Sequence, residues 1–223
     1  NPVEACLTNI DGAINVVNCA IDAQVPKVIA ISSDKAVHPV NLYGMTKGVM
    51  EKLLVQANVY SKSTRFSCVR YGNVIGSRGS VIPIFKEQAK TGQLTITDER
   101  MTRFWITLEQ GVRFVINCLD MMRGGEIFVT KLPSIKITDL AQMIAPNCSY
   151  HISGIRPGEK LHEVLITEDE ARHTRKFEDY FRINPEFPYW TEDGFWDMTG
   201  EPLPDKFRYT SEISNRLPDF LVN

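Results

Sequence analysis

Tyr43 and Lys47 stand four residues apart, and Asp34-Lys35 precedes Tyr43 by nine and eight positions. Four residues is about one helical turn, so a phenol and an amine share a helix face. In such a Tyr-x-x-x-Lys pair the ammonium lowers the phenol's pKa. The phenolate can then accept a proton from an alcohol while hydride leaves the same carbon. Asp34 and Lys35 add a carboxylic proton donor and an amine base, and Ser32-Ser33 add hydroxyls. Together these groups can oxidise a hydroxylated carbon and strip water from its neighbour, which is more than a plain dehydrogenation needs. By spacing alone a Tyr–Lys pair is more often a solvated surface pair, and serines at strand ends are common turn residues. The combination carries the specificity.

The elements that would position these groups read as alternating helix and strand. Ile10, Ala13, Ile14, Val17 and Ile21 recur at helical spacing, and Pro26 closes that helix. Val28–Ile31 is a continuous apolar run that suits a parallel strand covered on both faces. Tyr43–Tyr60 predicts a long helix with Val49, Leu53, Leu54 and Ala57 inward, and Phe66–Arg70 a second strand followed by the loop from Tyr71 to Gly79. Ser80 is an expected N-cap, with Pro83 tolerated in the first turn. Strands are expected at Leu94–Ile96, Thr102–Ile106 and Glu126–Val129. Helices are expected at Leu108–Met122 (Val112, Val115, Ile116 and Leu119 inward), Ile137–Ile144 and Lys160–Ile166. The order predicts an α/β fold, a Rossmann-like doubly wound parallel sheet with a smaller α+β substrate-binding subdomain. Residues 1–132 would be the later part of the nucleotide-binding domain with some substrate-subdomain segments interleaved, 133–179 the substrate-binding subdomain, and 180–223 an aromatic, proline-rich tail that wraps or reaches a partner.

With 223 residues, 43% hydrophobic and 23% charged, the composition is that of an ordinary globular protein. A formal net charge of -2 offers no basic field for nucleic acid, and no apolar run approaches the ~20 residues needed to span a bilayer. Cys6, Cys19, Cys68, Cys118 and Cys148 are odd in number and scattered, so buried free thiols in a reducing cytoplasm are expected. His38, His151, His162 and His173 share no metal-ligand spacing, and no metal is assigned. The chain opens on a helical pattern without a preceding strand or Gly-rich loop, which predicts a piece lacking roughly 100 residues of a doubly wound half-domain.

Asp34-Lys35-Ala36, Pro39 to Lys47, Arg70-Tyr71-Gly72-Asn73-Val74, Ser77 to Pro83, Leu94 to Thr97, Met101 to Phe104 and Gly158-Glu159-Lys160 resemble the extended short-chain dehydrogenase/reductases. Within them the similarity is to the inverting UDP-N-acetylglucosamine 4,6-dehydratases. Dehydratases acting on dTDP-glucose carry Asp-Glu where this chain has Asp34-Lys35, and simple 4-epimerases need neither. The membrane-bound retaining dehydratases commonly have Met in place of Tyr43. Ser33 departs from the family's usual Thr but keeps the hydroxyl.

The resemblance implies that Tyr43, activated by Lys47, removes the 4-hydroxyl proton while NADP takes the hydride. Lys35 would abstract the C5 proton and Asp34 protonate the departing 6-hydroxyl. Lys35 must then be neutral part of the time, which Lys47 and the nicotinamide cation would favour, and Asp34 must be protonated. Tyr43, Lys47, Tyr71, Gly72 and Val74 would meet the cofactor, and Ser32, Ser33, Asn73, Arg78, Val81, Thr97, Arg103, Arg156 and Glu159 the nucleotide sugar. Guanidinium forks suit a diphosphate, Arg156 first, whereas Arg103 is as readily structural. Asn73 could equally serve a turn, and Arg78 could be a surface charge beside a helix start suited to phosphate. The implied partners are UDP-N-acetylglucosamine and further copies of the chain. The rival readings are a retaining dehydratase, a nucleotide-sugar 4-epimerase, and a non-catalytic nucleotide-sugar-binding or oligomerisation piece. NAD against NADP is open in these residues.

Overall fold

The computed structural model describes residues 1–77, 79–188, 190–191 and 197–212. In chain order, helix α1 (Pro2–Cys6) runs through a π-helical turn (Leu7–Asp11) into α2 (Gly12–Asp22). Strand β1 (Lys27–Ile31), a 3-10 turn (Asp34–Ala36), α3 (Leu42–Tyr60) and β2 (Arg65–Arg70) follow. Then come β3 (Asn73–Val74), α4 (Val81–Ala89), β4 (Gln93–Ile96), β5 (Thr102–Ile106), α5 (Leu108–Met121) and β6 (Ile127–Thr130). The order continues with β7 (Ser134–Lys136), α6 (Ile137–Ile144), β8 (Ser149–Ile152), β9 (Val164–Ile166), α7 (Glu168–Ala171), β10 (Thr174–Lys176), β11 (Tyr180–Ile183) and β12 (Glu201–Pro202). Two compact units share the chain: residues 1–71, 112–131 and 164–209 form one, and 72–111, 132–163 and 210–223 the other.

The first unit is the α/β layer that the alternating pattern predicts. Its sheet runs β1-β2-β6-β11-β10-β12. β1, β2 and β6 are parallel, with Val28 opposite Phe66 and Val69 opposite Phe128, while β11 and β10 return antiparallel. Phe66, Cys68 and Val69 are fully buried, as a strand covered on both faces requires. The aromatic residues after 176 pack on one another: Phe177 stacks on Tyr180 at 4.6 Å, and Phe181 meets Tyr209 at 5.0 Å and Phe207 at 5.8 Å. Phe195 and Trp196 lie outside the described residues.

In the second unit β3 pairs parallel with β5, β5 antiparallel with β7, and β4 parallel with β8. Its core gathers Phe85, Leu94, Ile96, Trp105, Ile135 and Leu140, to which α4, β4, β5, β7 and α6 all contribute.

Four expectations need correction. Lys160–Ile166 is not a helix; only Val164–Ile166 is regular, as β9. The carbonyls of Lys160 and Leu161, which a helix would use, accept from the Arg103 guanidinium instead. On α3, Leu54 and Ala57 are buried but Val49 is exposed. The inner face is completed by Met50 and two polar residues, Glu51 and Asn58, whose partners an apolar count does not see. On α5, Val112 and Ile116 are 50% and 55% exposed, because Cys118 and Met122 with Val115 and Leu119 form the packed stripe. Of the five thiols, Cys68 and Cys118 are buried, Cys6 and Cys148 partly so, and Cys19 is exposed.

Candidate active site

The Asp34-Lys35 turn is stitched to the sheet from both sides. Beyond β1 the Ser32 amide donates to the Val69 carbonyl (2.7 Å), and the Asp34 amide to that of Tyr71 (3.3 Å). Ser33, in extended backbone, accepts from the Lys35 amide (3.1 Å) and donates to Asp34 Oδ1 (2.8 Å), which caps the turn. Lys35 Nζ donates to the same Oδ1 at 3.0 Å. Asp34 is fully buried while the Lys35 side chain is 40% exposed, so the pair is anchored at its acid and open at its amine.

Helix α3 begins against that turn. Asn41 is its N-cap, Oδ1 accepting from the Gly44 amide at 2.9 Å. A Cβ on Gly44 would stand 2.1 Å from the Lys35 carbonyl oxygen and 3.0 Å from the Pro39 Cβ. Only glycine lets the first turn of α3 seat on the Asp34-Lys35 backbone, and Tyr43 is its immediate neighbour. Tyr43 is 46% exposed. One turn on, Lys47 Nζ donates to the Ile31 carbonyl at the end of β1 (3.2 Å). The π-helical turn before α2 reaches the same place: Asn9 Nδ2 donates to Thr46 Oγ1 at 3.0 Å. The first unit thus brings together Ser32, Ser33, Asp34, Lys35, Tyr43, Lys47 and the backbone of Tyr71.

Burial lowers the pKa of Lys47, opposed by Cys68 and Glu51. Tyr71 is pushed up, first by burial and then by the neighbouring Tyr43, so it stays a phenol able to donate a hydrogen bond. Two phenols, two amines and a carboxyl therefore line one strand end, at the carboxyl edge of a parallel sheet where such folds bind ligands.

The second unit holds the other candidates. Gly72 packs its backbone on Phe104, where a Cβ would meet the Phe104 Cβ at 2.5 Å, and β3 carries Asn73 and Val74 alongside β5. Asn73 Oδ1 is buried and has no hydrogen-bond partner among the described residues. Val81 opens α4 and packs on the core, and Thr97 Oγ1 contacts Met101 Sδ at 3.3 Å. Arg103 is committed inward: it donates to the carbonyls of Thr102 (2.7 Å), Leu161 (3.1 Å) and Lys160 (2.9 Å) and lies 3.6 Å from Glu163. It shapes the loop that begins at Arg156. The Arg156 side chain is 67% exposed, 3.9 Å from Glu159. Arg78 lies outside the described residues.

Sequence reasoning singled out neither Gly44 nor Asn9 as site residues. The Asn41-x-x-Gly44 spacing signals the cap, yet the glycine's necessity is a long-range contact that no local pattern encodes. For Asn9 the only signal is a polar residue within a helical repeat.

Residues 1–185 match the family model described as polysaccharide biosynthesis protein. A UDP-N-acetylglucosamine 4,6-dehydratase (inverting) of Campylobacter jejuni is 50% identical over 221 residues, 95% of this chain and 66% of the relative. The chain thus spans just under two thirds of that relative's length. A UDP-glucose 4-epimerase of Rickettsia canadensis is 42% identical over 189 residues, covering 82% of this chain and 55% of the relative. Among solved structures, Pen from Bacillus thuringiensis superposes with a TM-score of 0.86 at 35% identity, over 100% of this chain and 68% of that one. TunA, an NAD-dependent NDP-hexosamine 5,6-dehydratase, shares the fold, with a TM-score of 0.64 at 17% identity over 72% of this chain and 60% of its own. By the family model and by these relatives, the chain belongs to the polysaccharide biosynthesis protein family.

Proposed function

We propose that this protein dehydrates UDP-N-acetylglucosamine at C4–C6 with inversion at C5, using NADP, and so supplies a 4-keto-6-deoxy-L-hexosamine for pseudaminic-acid-type or other surface-polysaccharide synthesis. The observation that carries the proposal is the Asp34–Lys35 pair held at 3.0 Å on the turn against which Tyr43's helix seats. The residues fit a nicotinamide cofactor: Ser32 Oγ is buried just beyond β1 with no hydrogen-bond partner among the described residues, and Lys47 reaches the carbonyl of the preceding Ile31. Lys47 and Tyr43 would hold its ribose, with Tyr71, Gly72 and Val74 near the nicotinamide. The bound cofactor supplies the hydride acceptor at C4 and the hydride donor at C6.

The chain's own residues do the proton work. Tyr43 takes the 4-hydroxyl proton as the C4–H bond breaks, which leaves a ketone that acidifies the C5 proton. Lys35 removes that proton, and Asp34 protonates the 6-hydroxyl, which departs as water. Moving one proton along the Lys35–Asp34 hydrogen bond converts ammonium and carboxylate into amine and carboxylic acid, the two states elimination needs. A sugar ring that excludes water from the pair favours this transfer, because both charges disappear. Return of hydride to C6 and of a proton to the opposite face of C5 completes the loss of one water. Asn73, Arg156 and Glu159 would bind the nucleotide, with Val81 and Thr97 beside it, while Arg103 shapes their loop.

The test is to incubate the whole protein with UDP-N-acetylglucosamine and NADP in D2O and read the product by NMR. A 4-keto-6-deoxy sugar with inverted, deuterated C5 supports the proposal, and retained C5 configuration refutes inversion. The relatives named as UDP-glucose 4-epimerases favour a second reading, 4-epimerisation, which would return a C4 epimer with its 6-hydroxyl intact. We further propose a cytoplasmic homo-oligomer, which native mass measurement would check for assembly.

A further inference from the structure

We propose that Ser211 is a positioning residue for nucleotide-sugar binding: it holds residues 160–163 in place and so sets the turn that presents Arg156 and Glu159. The inference rests on the reading of those two side chains as nucleotide-binding and adds the residue, 48 positions beyond Glu163, that fixes their base.

Ser211 is buried and engages both backbone groups of Glu163. Its amide donates to the Glu163 carbonyl at 2.9 Å, and its hydroxyl accepts from the Glu163 amide at 2.9 Å. The same hydroxyl lies 2.6 Å from Thr102 Oγ1 and 3.2 Å from the Thr102 carbonyl, to which it can donate. The Ser211 carbonyl accepts from Ser134 Oγ at 2.6 Å. One serine therefore joins Thr102 of β5, Ser134 of β7 and the residue that closes the Arg156 loop. An alanine would keep the contacts of its own backbone. What it could not supply is the hydroxyl's share, an acceptor for the Glu163 amide inside the protein.

The segment held in this way is continuous. The carbonyls of Lys160 and Leu161 accept from Arg103, and that of Leu161 also from the Thr102 amide at 3.1 Å. His162 Nδ1 lies 2.8 Å from Thr102 Oγ1, the hydroxyl that Ser211 touches, and Glu163 is taken by Ser211 itself. Each of these four consecutive residues has its anchor. Just before them Arg156 and Pro157 are exposed, and Gly158 stands at φ 82°, in the left-handed region that favours glycine. The Glu159 amide donates to the Arg156 carbonyl at 3.1 Å, so 156–159 form one turn carried on the anchored base. If the base loosens, Arg156 and Glu159 sample more positions, and binding must restore their order at a cost in affinity. Asp34, Lys35, Tyr43 and Lys47 belong to the other compact unit, so the effect falls on binding and not on the proton transfers.

The test is calorimetric titration of the whole protein with UDP, alongside steady-state kinetics with UDP-N-acetylglucosamine. Ser211→Ala should raise the UDP Kd and the sugar-nucleotide KM by about three- to tenfold, the worth of one buried hydrogen bond, and leave kcat and the KM for NADP near native values. Leu140→Val, a core change on α6 that also lowers the stability of this unit, should leave both binding constants where they were. Native UDP affinity in folded Ser211→Ala overturns the proposal, and so does equal weakening in Leu140→Val. If Ser211→Ala does not fold, Ser134→Ala, which releases the Ser211 carbonyl, carries the same expectation at about two- to threefold. Arg156→Ala separates the inference from the reading beneath it. Native UDP affinity in that variant removes the loop reading and this inference with it; weakened binding there, with none in Ser211→Ala, removes this inference alone.

Discussion

The two units hold their candidate residues in opposite ways. In the first, side chains that could do chemistry sit on a strand end, a capped turn and a helix start locked to one another: Ser33 caps, Gly44 seats on the Lys35 carbonyl, and Lys47 reaches back to Ile31. In the second, among the described residues, the largely buried candidate Arg103 donates to three backbone carbonyls, while the Arg156 side chain is mostly exposed. The lesson is that two arginines at family-like positions can be committed differently: Arg103 is engaged by the chain's own carbonyls, whereas the Arg156 guanidinium is exposed.

Substitutions can break that contrast. The largest effect is expected at the turn: Asp34→Asn or Lys35→Met should cut dehydration by about 10³-fold while leaving the melting temperature nearly unchanged for Lys35→Met, since a positioned acid or base contributes ~10²–10⁴. Next is Gly44→Ala. Its methyl group would collide with the Lys35 carbonyl oxygen, and urea unfolding should show a loss of about 2–3 kcal/mol together with reduced turnover. Arg103→Ala should destabilise by about 1–3 kcal/mol, because it removes three hydrogen bonds to the Thr102, Leu161 and Lys160 carbonyls and leaves the largely buried Glu163 with the cation of Lys160. Arg156→Ala should change stability by less than ~0.5 kcal/mol but raise KM about tenfold or more. If Arg103→Ala changed only KM, the contrast would fail.

The smallest expected effect concerns Asp98, also in the second unit. Hydrogen bonds from the Arg100 side chain and backbone hold its pKa at about 2, below its ordinary 3.8. A carboxyl depressed on folding stabilises the protein above its unfolded pKa, and the contribution disappears as pH falls from about 4 towards 2. Melting temperature measured over that window should fall more gently in Asp98→Asn than in the native protein, and the two curves should run parallel above pH 5.

Much of this was legible in the sequence, for a physical reason: strand, turn and helix signals are local. Val28 to Ile31 reads as a parallel strand and forms one, though it is only partly buried, with Ile31 48% exposed, rather than covered on both faces. Tyr43 and Lys47 read as one helix face, and Thr102–Ile106 and Ile137–Ile144 appear with the expected bounds. Missing from the sequence were contacts between distant segments. Gly44 matters through Lys35, Asn9 through Thr46, and Glu51 through Arg70, and none of these pairs leaves a periodic trace. The same cause explains the Lys160–Ile166 error, since Arg103 lies 57 residues from the carbonyl it captures. On α5 the apolar surplus of Val112 and Ile116 misled the choice of face.

The most direct measurement is C5 exchange in the whole protein carrying Lys35→Met, incubated with UDP-N-acetylglucosamine and NADP in D2O. With Lys35 as the base, native protein places deuterium at C5 and the variant leaves the C5 proton untouched, although oxidation at C4 still registers as NADPH absorbance. Deuterium appearing at C5 in the variant at the native rate would contradict the assignment of Lys35.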